Sequence, residues 1–193
     1  MEQFNPLDYG PAFAPLLAFD RLRTLDAGKP NAEAMAKLNA LSVETAFGHA
    51  QVVDRNMAAC CIAAVWLLHD FLDESHRISQ GIETTSGSFW HGIMHRREGD
   101  YSNAKYWFRR VGQHVVMNLL ASRAIDLASS RGCEHVIHDL TSGGKWNPFV
   151  FVDLCQAAIR RNISDADLCR HIQQAEWELL FDYCYRAAVG ANS

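Results

Sequence analysis

No stretch of this 193-residue chain alternates apolar and polar residues long enough to make a half-buried strand. No apolar run approaches the roughly 20 residues that span a bilayer; the longest, Met57–Leu68, has 12. The opening MEQFNPLDYGPAF has no basic region followed by an apolar core, so no secretory leader is expected. Six cysteines are present without a Cys-x-x-Cys pair. Cys60, Cys61, Cys155, Cys169 and Cys184 lie in helix-like apolar patterns, which predicts reduced, buried thiols and a cytoplasmic protein. Phosphate-cradling glycine motifs and nucleophile elbows are missing, which removes the common nucleotide-binding and serine-hydrolase readings. Glu-x-x-His is also absent, and with it the ferritin-like di-iron centre. An excess of positive charge is absent as well, with 18 Lys and Arg against 22 Asp and Glu. A net charge of −4 argues against a dedicated nucleic-acid binder, although a local basic face remains compatible with it.

What is present is helical. The length suits one domain over residues 1–193, large enough to bury a core without a staple. Helical spacing predicts segments from Ala12 to about Gly28, Ala32 to Phe47, Val52 to Ser79, Ser88 to Glu98, Asp100 or Ser102 to Gly112, His114 to Ser130, Phe149 to Arg161, and Ser164 to Val189. The Val52–Ser79 segment is apolar nearly all round until His69, Asp70, Asp73, Glu74, His76 and Arg77. A helix of that kind belongs at the centre of a globule. The expected architecture is all-α: one globule of seven or eight helices around a buried central rod with a polar tip.

The tract GSFWHGIMHRREGDYSNAKYWFRRVG, residues 87–112, is richer in His, Arg and aromatic residues than a surface helix pair needs. Gly99-Asp100 marks a turn, and Tyr101, Ala104, Phe108 and Val111 share one face of the helix after it. Gly92, Gly99, Tyr101, Ala104 and Phe108 stand at the spacing of one tetratricopeptide repeat unit. Residues 88–116 therefore resemble a single such hairpin, with Ser88 and Val116 in place of the repeat's large opening residue and closing proline. The resemblance implies two antiparallel helices and, in arrays, peptide binding. No second copy is visible, and a solenoid needs at least about three. The longer string from LLHDFLDESH through WHGIMHRREGDYSNAKYWFRR is similar to an uncharacterised family of helical proteins of bacteria and fungi, which implies no particular activity.

Three kinds of chemistry fit these residues. The first is a metal centre. His91, His95 and Glu98 fall on one helix face, and His69, Asp73 and His76 repeat that spacing at the end of the rod. If the two faces oppose each other, their N and O donors suit Zn, Fe or Mn, with metal-bound water serving a hydrolase. His69-Asp70 with His49 upstream also resembles HD-type phosphohydrolases, which would implicate Asp126 or Asp139 as a further ligand. The second is an anion site for a small anionic molecule or an acidic peptide. Its candidates are Arg96, Arg97, Lys105 and Arg109, with Trp90, Tyr106 and Trp107 to stack on a planar ligand. The competing expectation is internal, since Asp70, Asp73, Glu74, Glu98 and Asp100 are acids enough to pair these cations. The third, a Cys133 nucleophile beside His135 or His138, lacks a supporting motif. Oligomeric state is open, and a homo-oligomer is compatible with all of these readings.

Overall fold

The central segment folds as two helices that meet at a corner. In the computed structural model, residues 4–141, 144–161 and 165–191 are described, and among them are eleven α-helices and no strand. They are α1 (Gly10–Leu17), α2 (Met35–Asn39), α3 (Val43–Ala46), α4 (Arg55–Leu68), α5 (Leu72–Ser79), α6 (Thr85–Glu98), α7 (Tyr101–Val111), α8 (Val115–Ser129), α9 (Ile137–Leu140), α10 (Pro148–Arg161) and α11 (Ala166–Ala188). The all-α architecture matches the sequence reading. The count of seven or eight helices does not, because two predicted helices divide and the short α9 lies where no helix was expected.

The first predicted helix stops at Leu17; Asp20 turns the chain by accepting a bond from the Leu22 amide at 3.0 Å. The second divides into α2 and α3, because Ser42 and Thr45 cap each other reciprocally and start a new helix. The third, Val52–Ser79, divides into α4 and α5 at His69-Asp70-Phe71. There the Phe71 amide donates to the Trp66 carbonyl at 3.0 Å and the Asp70 amide to that of Leu67 at 3.1 Å. That bonding pattern closes a helix with one left-handed residue, usually glycine. Here the residue is Asp70, at φ 64°. The Phe71 ring packs edge-on to Trp66, supplying the apolar contact that accompanies such caps.

Helix α4 is the buried rod that its sequence predicts. Asp54 caps its start, accepting from the amides of Asn56 and Met57. Every residue from Cys60 to Leu68 is buried, and α11 lies along it, with Trp177 Nε1 donating to the Ala64 carbonyl at 3.1 Å. Each fully buried Leu or Val side chain in this core contributes about 1.5–3 kcal/mol. Helix α6 is buried from Ser86 to Arg97. Thr84 rather than Ser88 caps it, and Ser88 is buried. Gly99, at φ 90°, reverses the chain into α7 with Asp100 as N-cap. The two helices run back antiparallel. A Cβ on Gly92 would stand 3.2 Å from the Phe108 ring, so glycine sets how closely they approach. The predicted Ser164 start of the last helix lies outside the described residues, as do Ser142 and Gly143 of the glycine-rich break. No described helix is long and apolar enough to cross a membrane.

Candidate metal centre

The corner at Asp70 turns α5 back across α6 and sets His76 of α5 beside His91 and His95 of α6. The two α6 residues are one turn apart and so share a face. The ring centroids of His76 lie 4.6 Å from His91 and 5.2 Å from His95, and those of His91 and His95 are 4.7 Å apart. One ligand nitrogen from each ring can be chosen so that all three lie within 4.8 Å of one another. His91 and His95 are buried and His76 is half-buried, so the cluster opens outward on the α5 side.

Hydrogen bonds orient the rings. Ser79 Oγ donates to the His76 carbonyl at 3.3 Å and lies 3.2 Å from His91 Nδ1. With its proton so placed, the hydroxyl accepts from His91 Nδ1–H, which assigns the free lone pair to Nε2. Glu98 sits 2.7 Å from His95 Nδ1 and accepts its proton, while Asn103 Nδ2 lies 3.0 Å from His95 Nε2. A carboxylate behind an imidazole is the usual orienting partner of a metal-bound histidine. The Trp107 ring covers His91 at 4.0 Å between centroids, and Arg110 lies over the Trp107 ring at 5.2 Å. Burial, followed by the fields of His95 and His76, pushes the His91 pKa down to about 3, so this imidazole stays neutral at ordinary pH.

Two of the five expected metal ligands are placed elsewhere. His69 turns away from the cluster. Its Nδ1 lies 3.0 Å from Asn31 Nδ2, its Nε2 lies 3.1 Å from the Leu16 carbonyl, and the ring stacks on Phe19. Asp73 is exposed and belongs to no ligand cluster among the described residues. The HD-like set does not gather either. His49 bonds the Tyr185 hydroxyl at 2.8 Å, Asp70 is held by arginines, and no described ligand cluster includes Asp126 or Asp139. Cys133 Sγ contacts the Arg131 carbonyl and His135 pairs with Asp165, so neither forms a nucleophile couple with the other. All six cysteines are free, and the five predicted to be buried are buried.

The hairpin cations divide. Arg96 is fully buried, paired through both terminal nitrogens with the equally buried Glu176 of α11 and lying over the Phe151 ring at 4.6 Å. Arg97 donates to Asp70 at 2.7 Å and to the carbonyls of Leu67 and Asp26, which closes the end of α4. Arg23 completes the Asp70 pairing. Lys105 pairs with Asp153 at 2.6 Å. Trp90 is wholly buried edge-on to Trp177, whereas Tyr106 is exposed next to Trp107. Arg109 alone of the four expected anion-binding cations has no acid partner among the described residues; it lies over Phe149 beside a surface hollow of about 470 Å³.

Sequence reasoning missed Glu176, Ser79, Asn103 and the Lys145–Phe149 wall of that hollow. Glu176 carried a signal: an acid flanked by Ile172, Ala175, Trp177 and Leu180 needs a buried partner. Comparison with family models, with curated proteins and with solved structures gives no match to this chain.

Proposed function

We propose that the protein binds one divalent transition metal through His76, His91 and His95, and that an open fourth position holds water for hydrolytic chemistry. The observation that carries this reading is the convergence of three imidazoles from two helices, with one ring held neutral by burial. Metal–nitrogen bonds of about 2.0–2.1 Å in a tetrahedral site place nitrogens about 3.4 Å apart, so the rings close by about 1.4 Å or less on binding. An all-imidazole set favours Zn over Mn, which prefers oxygen, and Fe is the next fit if Glu98 swings in as an oxygen ligand. Three neutral ligands leave the full charge of the ion to lower the pKa of bound water. Glu98 supports the His95 imidazole from behind, and Asn103 Nδ2 gives up its 3.0 Å bond to His95 Nε2 so that this nitrogen can face the metal.

Calorimetric titration of the metal-free protein with Zn(II), and the visible spectrum after Co(II) substitution, test the site. One-to-one binding tighter than about 10 µM is expected, with the intense bands of tetrahedral cobalt. His76→Ala, at a half-buried position, should weaken binding at least about tenfold without unfolding the chain, and His91→Ala should abolish it. His69→Ala and Asp73→Ala should bind as the parent does. Equal binding by the parent and the His76→Ala variant would exclude the site.

A further inference from the structure

A surface hollow lies at the C-terminal end of α7. The C-terminal end of α7, the first turns of α8 and residues 145–149 border this open hollow, whose volume of about 470 Å³ is within the range of small-molecule pockets. Phe108, Met117, Trp146 and Phe149 line it with apolar surface, and Arg109 and Lys145 stand at its rim. Both cations are exposed, and neither has a carboxylate within ion-pairing distance among the described residues. That sets them apart from Arg96, Arg97 and Lys105, each of which is matched by an acid. The exposed Arg109 guanidinium lies 5.9 Å from the centre of the Phe149 ring, at the outer reach of a cation–π contact.

We propose that this hollow binds a small molecule combining a one- or two-ring aromatic body with a carboxylate or phosphate. The half-exposed Phe149 ring and the buried edges of Phe108, Met117 and Trp146 offer dispersion contacts to the ring system. The two cations offer forked and point-charge hydrogen bonds to an anionic group that the ring would carry. None of the three clustered histidines lines the hollow, so this site stands apart from the metal reading.

Calorimetry with 2-naphthoate, 2-naphthyl phosphate and the uncharged 2-naphthalenemethanol tests it. Both anions should bind one to one, and the alcohol at least about tenfold more weakly. The double variant Arg109→Ala/Lys145→Ala should remove that preference. Asn118→Trp, at an exposed helical position lining the hollow, should fill the space and abolish binding of all three. His76→Ala and chelator-treated protein should bind as the parent does. Equal affinity for charged and neutral probes, unchanged binding in Asn118→Trp, or no binding at millimolar probe would overturn the proposal.

Discussion

Arg96 and Glu176 show how far a single residue's role depends on its partner. Both side chains are fully buried, and the pair ties α6 to the last helix across the core. Removing one partner leaves an uncompensated charge in a dry site, at a cost of about 3–5 kcal/mol. Urea unfolding of Arg96→Met should therefore show a loss of that size, and Arg96→Met/Glu176→Leu should recover most of it. A double variant as unstable as the single one would show that packing, not charge, dominates there. The sequence identified Arg96 as notable but not its direction. A guanidinium flanked by aromatic residues reads alike whether it faces a ligand or an internal acid, and the acid here lies 80 positions away. The histidines were more legible, because His91 and His95 are brought together by helical spacing alone. His76 joined them as expected. His69 did not, since the change of direction at Asp70 rotates it out of line.

Among elements, the junction of α4 and α5 decides the most. A helix-closing bond pattern of the same kind recurs at Gly99, where the Asp100 amide donates to the His95 carbonyl. Glycine advertises such a corner in a sequence and aspartate does not, so one long rod was predicted where two helices stand. Aspartate is there because its carboxylate receives Arg97, Arg23 and the Lys29 amide. Asp70→Gly should relax the left-handed backbone by about 1–2 kcal/mol and yet lower stability by about 3–5 kcal/mol net, because Arg97 is left buried and unpaired. The pair of thermal midpoints for the parent and this variant measures the balance. A midpoint that rises would mean that backbone strain outweighs the ion pairs. Other breaks were hidden for a related reason. Ser42 with Thr45 form a reciprocal cap in a segment whose apolar periodicity continues through it.

The molecule as a whole should be acid-sensitive. His114 joins three helices: it starts α8, bonds Ser86 of α6 through Nε2 at 3.1 Å, and packs against Tyr183 of α11. Burial pushes its pKa down to about 4, burial also lowers that of His69, and burial with the fields of His95 and His76 takes His91 down to about 3. The folded chain therefore binds fewer protons than the unfolded one below about pH 6.5, and stability falls as pH falls. The slope for His114 is about 1.4 kcal/mol per pH unit, flattening near pH 4, and His69 adds to it. Chemical unfolding at pH 7, 6 and 5 should show this decline, and His114→Gln should make it shallower. A stability flat over that range would mean that all three imidazoles protonate in place. Composition and periodicity made the helical class and the central position of α4 legible, since those follow from patterns local to the chain. Which polar groups face inward depends on long-range pairing, and no local pattern encodes it.

One consequence concerns light. Of the five indoles, Trp66, Trp90, Trp146 and Trp177 are buried, and only Trp107 is half-open to water, lying against His91. Its emission is therefore the most red-shifted in the molecule, and excitation at the long-wavelength edge favours it. A metal ion bound as proposed at the neighbouring imidazole should dim that one chromophore, which would make it an optical gauge of the histidine cluster.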